Sequence, residues 1–459
     1  MELQNILKNL PEVAPPVEKK LSFKVKAKWT LIVLIAFFVL SNIPLYGLSS
    51  NALSRYENLA TLLAADFGSI ISLGIGPIVM ASIILQLLVG AKILNIDTSK
   101  PEGKKYFQGL QKLLVFFFII FEASVYVLMK GLEAAPGFTG ILIAQLCLGG
   151  LAIMFMDEVT NKWGFGSGVS MFIAAGVSAR IITGLIGFIG PESNILNPST
   201  YIASGKILVF FNSIIGGDTT GATLAFVTIA ITVGLFLGIV WMQSLKIEIP
   251  LSFDRLRGYS MKWPLPFFYT SVMPVILVSA LEANIQLGAG LLQQWLGHAT
   301  ILGGFSGGTP VSGFAYWIGG VNILQAVVTN SLTSDIPIRV LFHIIFYVTF
   351  AVIFAMFWVK TSGMDAQSQA HNIMNSGLTI PGFRKDERIL ESVLERYVFP
   401  LTIMGGAAIG LIAGLTNVVG ALVAGNSILL VVMIMYQFYQ NIAKQHSVDM
   451  HPALRKFIK

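Results

Sequence analysis

Residues 52–91 read ALSRYENLATLLAADFGSIISLGIGPIVMASIILQLLVGA and combine two segments of opposite character. The second segment, residues 68–91, has 24 residues and no charge, so as a helix it is long enough to cross a hydrocarbon core of ~30 Å. The first segment, residues 52–67, also has one apolar helical face, formed by Leu53, Tyr56, Ala60, Leu63 and Phe67. It carries in addition side chains that lipid excludes, namely Arg55, Glu57, Asn58 and Asp66. We therefore expect a helix at membrane depth that contacts protein or water, followed by an ordinary spanning helix.

Glycine and proline weaken the backbone just beyond this junction. Gly74 and Gly76 lack a restraining side chain, and Pro77 lacks a backbone donor. A discontinuous helix of this kind is tolerated in a membrane only where it lines a cavity. The stretch therefore predicts a cavity, and the function depends on what passes through it.

The composition is that of a polytopic α-helical membrane protein. The 459 residues are 55% hydrophobic and 12% charged, and the mean hydropathy is +0.76. A single cysteine, Cys147, and five histidines without ligand spacing predict no disulfide framework, no metal and no cofactor. The sequence contains no P-loop, dinucleotide fingerprint or zinc-protease motif. We expect no cleavable signal peptide, because about 28 mostly polar residues precede the first apolar run.

Apolar runs bounded by charges or by Gly and Pro clusters predict ten spans. They are residues 28–48, 68–91, 107–130, 138–156, 167–189, 222–243, 266–287, 337–359, 398–416 and 425–443. With the N-terminus inside, 25 of the 30 Lys and Arg residues lie on the inner side, so the positive-inside rule predicts that both termini are cytosolic. Five spans in each half make any structural repeat inverted. The predicted fold is thus an all-α polytopic membrane protein with ten transmembrane helices in two inverted five-helix halves.

These spans divide the chain into segments. We predict a cytosolic N-terminal segment 1–27, a first half 28–190 that includes residues 52–67, an outer linker 191–221, a second half 222–443 and a cytosolic tail 444–459. Within residues 1–27, Leu3, Ile6, Leu7 and Leu10 repeat at helical spacing, which is compatible with a short helix on the membrane surface or with a mobile tail.

Three loops of the second half are too long to be simple connectors. The inner loop 245–264 alternates apolar and charged residues and predicts a protruding hairpin, and the inner loop 361–397 predicts a short helix near residues 364–376. The basic residues of these loops either steer an anionic partner or serve only as topology determinants. The outer loop 297–336 is rich in glycine, and we expect it to fold over the outer mouth of the cavity.

Two patterns suggest other functions. Residues 304–308, GFSGG, match the serine-nucleophile pattern G-x-S-x-G, with His343 as a conceivable partner of Ser306, but they lack the strand-turn-helix context of that motif. Glu122 and Glu282 lie within predicted spans and would suit the ion site of a secondary transporter. Few other polar residues accompany them, so the cavity is lined by aliphatic side chains. A lining without fixed polar partners suits an extended polypeptide of any sequence, because an aliphatic constriction still excludes water when idle.

Seven stretches in the right order carry a family resemblance. They are LGIGPIVMASIILQLLVGAKIL (73–94), FQGLQKLL (107–114), GFGSGVSMFIAAGV (164–177), KIEIPLSFDRLRG (246–258), YTSVMPVILVSALEANIQ (269–286), GFRKDERILESVLERYV (382–398) and ILLVVMIMYQFYQ (428–440). On these stretches the whole chain resembles the SecY family, the channel subunit of the protein-translocation complex. The GIGPIV form is similar to the archaeal and eukaryotic branch.

The resemblance implies a function and a set of site residues. The function is the central pore-forming subunit of a protein-conducting channel, without enzymatic activity, that passes unfolded secretory polypeptides and releases transmembrane segments sideways through a lateral gate. The implied plug within residues 52–67 includes Arg55, Tyr56, Glu57, Leu63, Asp66 and Phe67. The implied pore ring consists of Ile75, Val79, Val169, Ile173, Ile276 and Leu430. The implied lateral-gate residues, between spans two and three and spans seven and eight, are Gln86, Glu122 and Asn284.

The resemblance also implies partners and a location. A translating ribosome or another driving factor would dock on Arg255, Arg257, Arg384, Lys385 and Arg388. The other implied partners are a SecE-like subunit, a small single-span third subunit, signal sequences, nascent polypeptides and membrane lipids. The implied location is the cell membrane of a prokaryote of archaeal type. Met80 and Glu282 depart from the family pattern near the gate.

Overall fold

The computed structural model describes residues 10–18, 21–96, 101–188, 205–253, 260–270, 272–328, 331–375, 378–379 and 386–450. The elements of the first half are α1 (Phe23–Ser41), β1 (Leu48–Asn51), a 3₁₀ helix (Ala52–Tyr56), α2 (Glu57–Leu62), α3 (Gly76–Gly90), α4 (Pro101–Leu128), β2 (Leu132–Ala134), α5 (Thr139–Trp163) and α6 (Gly168–Ile186). They are followed by α7 (Lys206–Gly216), which lies within the predicted outer linker.

The second half begins with α8 (Thr219–Gln243), β3 (Lys246–Phe253), β4 (Ser260–Pro266) and α9 (Met273–Leu296). The outer loop contains β5 (Gly304–Ser306), β6 (Thr309–Ser312), α10 (Gly313–Ile318) and α11 (Ile323–Val328). The remaining elements are α12 (Ile336–Thr361), α13 (Ala366–Asn375), β7 (Leu378–Thr379), α14 (Glu387–Val419) and α15 (Gly425–Met450).

Each of the ten predicted spans overlaps a described helix. These helices are α1, α3, α4, α5, α6, α8, α9, α12, α14 and α15. Within the described ranges, seven helices are long and apolar enough to cross a membrane on length and composition alone. The chain is therefore an all-α polytopic membrane protein, with five spanning helices in each half and only short strands in its loops.

The prediction of one continuous helix over residues 68–91 is wrong. The helix α3 has only 15 residues, which corresponds to about 22 Å, and residues 68–75 form a series of turns. Two glycines explain the turns, because Gly68 has φ +105° and Gly74 has φ +53°, both in the left-handed region. Pro77 stands in the first turn of α3, where its missing donor costs nothing, so the glycine–proline cluster marks a helix start and not a weak point inside a helix.

Residues 52–67 also differ from the single predicted helix. They form the 3₁₀ helix and the six-residue α2, and the chain turns after Leu62. Ala64 adopts φ +46°, which a helix cannot continue through. The segment therefore consists of two short helices and the turns that follow them, and it is not one continuous helix.

Glycines spaced four residues apart bring α14 close to α12. A Cβ atom on Gly406 would lie 2.9 Å from the Cβ of Ala355, and one on Gly410 would lie 2.7 Å from the carbonyl oxygen of Tyr347. Membrane helices associate through such small residues, because backbones can then approach closely.

The two long inner loops join in one sheet. The hairpin predicted in residues 245–264 is confirmed as β3 and β4, which pair from Lys246 with Pro266 to Ser252 with Ser260. The short helix predicted near residues 364–376 is confirmed as α13. β7 of the second loop then pairs with β3, so that the strand order is β4-β3-β7.

The segment 10–18 is fastened to the inner end of α5. The amide of Val13 donates to Glu158 Oε2 at 2.9 Å, and the indole of Trp163 donates to the carbonyl of Ala14 at 3.0 Å. Lys162 pairs with Glu12 and also donates to the carbonyl of Val13 at 2.6 Å. The surface helix expected nearer the N-terminus lies almost wholly outside the described residues.

Candidate functional site

The six aliphatic residues implied as a pore ring lie in one continuous apolar core. They are Ile75, Val79, Val169, Ile173, Ile276 and Leu430, and none is more than 9% exposed. They come from the start of α3 and from α6, α9 and α15, and α9 packs against both α3 and α15 while α6 packs against α15. The four helices that carry the six residues, from both halves of the chain, therefore form one packed series. Their arrangement as a ring stays a prediction.

The plug segment, defined here as residues 52–67, sits directly on this core. Its helix α2 packs against α6 and α9, two of the helices that carry the ring candidates. Leu53, Ala60 and Leu63 are buried, at 1%, 2% and 0% exposure. The apolar face expected from sequence is thus turned towards protein, and the exposed side chains of Arg55 and Asp66 lie away from it.

A backbone hydrogen bond joins the plug segment to the ring candidates. The amide of Ile75 donates to the carbonyl oxygen of Leu63 at 2.8 Å. Gly74 permits this approach, because a Cβ atom there would overlap the carbonyl oxygen of Leu63 and lie 2.8 Å from the Cβ of Ala65. The end of the plug segment is therefore tied to the first residue of the implied ring.

The outer loop covers the plug segment from the other side. The ring of Phe305 meets the ring of Tyr56 edge-on, with 5.5 Å between centroids. Gly308 lies against the backbone carbonyl of Arg55, and the hydroxyl of Tyr56 reaches Gly290 on α9. The hairpin of β5 and β6 thus packs on the plug segment, as expected for a loop that folds over the cavity.

The rest of the plug segment is held at its ends. Phe67 meets Tyr126 of α4 edge-on at 6.3 Å, and the side-chain amide of Asn51 donates to the carbonyl of Phe67 at 2.8 Å. The side chain of Glu57 lies outside the described atoms. Because Asn51 precedes the segment and Phe67 ends it, the two ends of the plug segment lie side by side.

The three implied gate residues do not form one hydrogen-bonded group. Glu122 is on α4, and its carboxylate lies against the start of α3, where a Cβ on Gly76 would be 2.9 Å from its Oε2. Gln86 lies ten residues further along α3, about 15 Å away. Asn284 donates to the carbonyl of Ala280 on its own helix at 2.8 Å. Within the part of the chain that the structure describes, Gln86 Oε1 and Glu122 Oε2 are buried without a hydrogen-bond partner.

The acidic residue noted as a departure, Glu282, has a definite environment. The hydroxyl of Tyr347 donates to one carboxylate oxygen, and the amide of Gln286 donates to the other at 3.0 Å. The amide of Asn426 donates to the same Tyr347 hydroxyl at 2.8 Å and lies 3.4 Å from Ser279 Oγ. This polar group joins α9, α12 and α15. Sequence reasoning found Glu282 but missed Tyr347 and Asn426, although both interrupt apolar runs.

The serine-nucleophile pattern is not assembled into a catalytic pair. Nδ1 of His343 contacts the carbonyl of Ile318 at 2.5 Å, and Nε2 contacts the amide of Asn417 at 3.3 Å. Ser306 is exposed at the end of β5. Both ring nitrogens of this histidine are therefore engaged by residues other than Ser306.

Of the five basic residues implied as a docking surface, only Arg388 is described, and it is exposed in the first turn of α14. Arg255, Arg257, Arg384 and Lys385 lie outside the described residues. The three-stranded sheet places the two loops that carry these five residues next to each other.

Comparison with known proteins gives a consistent result over the whole chain. A family model described as SecY matches residues 69–439, and one described as the plug domain of Sec61p matches residues 35–68. The protein translocase subunit SecY of Methanothermobacter thermautotrophicus is 43% identical over 454 residues, which is 98% of this chain and 96% of the relative.

Two solved structures extend the similarity to the fold. One is of a SecY protein whose plug domain stabilises the closed state of the translocation channel and maintains a membrane seal; its TM-score is 0.83, with 37% identity and 99% of each chain covered. The other is Sec61 in the canine ribosome–channel complex from the endoplasmic reticulum, with a TM-score of 0.81, 37% identity and 99% of each chain covered. These similarities support a channel and not an ion-coupled transporter.

Proposed function

The chain belongs to the SecY family, and we propose from this premise how its own residues close and open the channel. It is the central pore-forming subunit of a protein-conducting channel that passes unfolded secretory polypeptides across the membrane and releases transmembrane segments sideways into lipid. Its ten spanning helices form two inverted halves around a central pore, and a short plug helix lies in that pore.

The observation that carries the proposed mechanism is the hydrogen bond from Ile75 to Leu63. In the proposal, Ile75, Val79, Val169, Ile173, Ile276 and Leu430 form an aliphatic ring that excludes water by dewetting. The plug segment closes the pore on the outer side of this ring. Because the plug is tied to the first ring residue, plug displacement and ring opening involve the same stretch of backbone.

Sideways release follows from partitioning and requires no chemistry at the pore. A segment rich in Leu, Ile, Phe or Val gains about 0.3–0.6 kcal/mol per residue on entering the bilayer, so it leaves through an open gate while a polar segment stays in the pore. The proposed gate lies between α3 and α4 on one side and α9 and α12 on the other, and α3 packs against both α9 and α12. Gln86 on α3 and Glu122 on α4 are buried on this first side of the gate, and their unsatisfied oxygens make the closed gate easier to open.

Directionality is proposed to come from a partner on the inner face. The two basic loops, with Arg255, Arg257, Arg384, Lys385 and Arg388, would dock a ribosome or another driving factor, in keeping with the ribosome complex of the canine relative. A SecE-like subunit and a small single-span subunit complete the assembly. The chain itself is proposed to have no enzymatic activity, and to lie in the cell membrane of an archaeal-type prokaryote with both termini cytosolic.

Crosslinking tests the path of the polypeptide. In a Cys147→Ser background, Ile276→Cys on α9 should form a disulfide with a cysteine in a stalled secretory chain. Phe226→Cys is the matched control, because Phe226 is 58% exposed on α8, at the outside of the described fold. Crosslinks at the control position but not at Ile276 would show that the chain does not pass the proposed ring.

A further inference from the structure

A carboxylate on the inner part of α5 holds the first turn of the next helix, α6. Asp157 lies in the last two turns of α5, and its Oδ1 accepts a hydrogen bond from the backbone amide of Val169 at 2.9 Å. Gly168, the first residue of α6, lies so close that a Cβ atom there would be 2.6 Å from the Cα of Asp157. The two helices therefore touch at the point where α6 begins.

The start of α6 depends on this carboxylate because its own cap is weak. The first amides of a helix have no partner within the helix. Ser167, the residue that precedes α6, accepts from the amide of Ser170 at 3.4 Å, which is long for a hydrogen bond. A carboxylate at the position of Asp157 also faces the positive end of the α6 dipole. Asp157 thus caps α6 from another helix.

The capped amide belongs to a candidate of the pore ring. Val169 is the second residue of α6, and Ile173, the other ring candidate on this helix, follows about one turn later on the same face. A helix rises ~1.5 Å and turns about 100° per residue, so a shift of α6 by one residue would turn both side chains away from their present direction. The bond to Asp157 therefore fixes the height and the rotation of both ring candidates.

The inner end of α5 is itself held by other helices, so Asp157 is a fixed support. The adjacent residue, Glu158, forms an ion pair with Lys112 of α4. Further along α5, the ring of Trp163 packs against the ring of Trp29 of α1, with 5.7 Å between centroids. Contacts with α1 and α4 thus keep α5 in place while α6 is held against it.

We propose that Asp157 is a positioning residue for the pore ring, which holds Val169 and Ile173 at the height where they close around a passing polypeptide. This role rests on the ring of the proposed function. Asp157 acts through the backbone of Val169 and need not touch the polypeptide. A carboxylate that only stabilised the packing of α5 with α6 would affect unfolding but not the seal around the polypeptide.

Hydrogen exchange tests the cap. The purified complex is studied in lipid nanodiscs with the unchanged chain, Asp157→Asn and Asp157→Ala, and exchange is followed in the peptide that contains the amide of Val169. An N-cap of ordinary strength shifts the local opening equilibrium roughly fivefold, so this amide should exchange faster by about that factor in Asp157→Ala. Asp157→Asn retains an acceptor oxygen for the amide and should keep most of the protection. Unchanged exchange in Asp157→Ala would show that the carboxylate does not hold α6 and would overturn the proposal.

Ion leakage around a stalled secretory chain tests the effect on the ring. The stalled chain displaces the plug segment, so the ring alone limits leakage from reconstituted vesicles. We expect Asp157→Ala to leak several times faster than the unchanged chain, and Asp157→Asn to restore most of the seal. Leakage of Asp157→Ala no faster than that of the unchanged chain would overturn the positioning role.

Asp218→Ala is the matched control for the loss of a cap. Asp218 caps α8 by accepting a hydrogen bond from the amide of Gly221 at 3.0 Å, and α8 carries no ring candidate. This variant should lower the midpoint of thermal unfolding without extra leakage. Equal leakage in Asp218→Ala and Asp157→Ala would assign the leak to a general loss of stability and would overturn the positioning role.

The crosslink at Ile276, measured in parallel vesicles, reports on the ring itself. A stalled chain that crosslinks to Ile276→Cys, together with a tight seal in Asp157→Ala, would overturn the role of Asp157 and leave the proposed function standing. Absence of that crosslink would overturn the ring, and the role of Asp157 with it.

Discussion

The amide of Ile75 and the carbonyl of Leu63 form a 2.8 Å hydrogen bond that closes a loop of the chain between the plug segment and α3. Leu63 is fully buried at the end of the plug segment, and Ile75 is fully buried at the start of the implied ring. An outward movement of the plug must break this bond or carry Ile75 with it. The plug segment and the ring candidate Ile75 are therefore coupled through the backbone itself.

Gly74→Ala should loosen the plug. The new methyl group would overlap the carbonyl of Leu63, and alanine in the left-handed region costs about 1–2 kcal/mol. A cost of this size raises the population of displaced plugs by roughly tenfold, because 1.4 kcal/mol is a factor of ten. We expect faster ion leakage from reconstituted vesicles without any secretory substrate.

Gly176→Ala is the matched control for this change. Gly176 lies within α6, and a Cβ there would meet nothing within 4 Å. Its leak rate should equal that of the unchanged chain. Equal leak rates for the Gly74 and Gly176 variants would contradict the coupling of plug and ring.

Deletion of residues 55–67 should remove the ion seal of the idle channel but keep the path of the polypeptide. The side chain of Asn51 bonds both the amide of Ser54, just before the deleted segment, and the carbonyl of Phe67 at its end, so a short glycine linker can replace the segment. The helices that carry the ring candidates remain. We expect translocation of a secretory protein to be largely retained, and the idle membrane to leak ions. An idle leak no greater than before the deletion would remove the sealing role from this segment.

Sequence alone predicted the ten helices and the inner hairpin because both leave strong local signals. A span is a long apolar run, and a hairpin strand alternates apolar and polar residues. It failed at residues 63–75, which are as apolar as a helix. Only backbone geometry, with Ala64 and Gly74 at positive φ and the Leu63 carbonyl bonded to Ile75, shows that they turn.

In the candidate site too, sequence predicted the features that one helix determines and missed those that depend on contacts between helices. The burial of the six ring candidates agrees with their apolar type, but the packing of the helices that carry them depends on contacts far apart in sequence. Glu282 was noticeable in sequence as an acid in a span. Tyr347, which bonds Glu282, and Asn426, which bonds Tyr347, also interrupt apolar runs, but each belongs to a different helix and no local pattern joins them to Glu282.

Tyr347→Phe should destabilise the second half. The tyrosine hydroxyl is donor to Glu282 and acceptor from Asn426, so its removal takes one hydrogen bond from each of two buried polar groups. Each such group costs about 1–3 kcal/mol. We expect a lower midpoint of thermal unfolding in detergent. Glu282→Gln, which keeps an acceptor for Tyr347, should lower it less.

Tyr439→Phe controls for the loss of a hydroxyl as such. Tyr439 is 68% exposed on α15, and its variant should unfold at the same temperature as the unchanged chain. Loss of this polar group should also affect the function of the channel. Ser279 and Asn426 lie three and four residues from the ring candidates Ile276 and Leu430. A Tyr347 variant that unfolds like the Tyr439 control would show that the group does not hold α9, α12 and α15 together.

The inner strap, residues 10–18, should detach from α5 at low pH. The hydrogen bond from Lys162 lowers the pKa of Glu12 below its ordinary value of 4.5, against a smaller opposing effect of burial. A carboxyl with a lowered folded pKa contributes stability above its unfolded pKa, and this stability is lost as the pH falls through the folded pKa, here below about 4.5. The contribution of Glu12 to the attachment is small because its side chain is 64% exposed.

Hydrogen exchange at the amide of Val13, which donates to Glu158, measures attachment of the strap. At neutral pH this amide should be better protected in the unchanged chain than in Glu12→Gln, and the difference should vanish below the folded pKa of Glu12; a difference that persists there would assign the attachment to Glu158 and Trp163 instead.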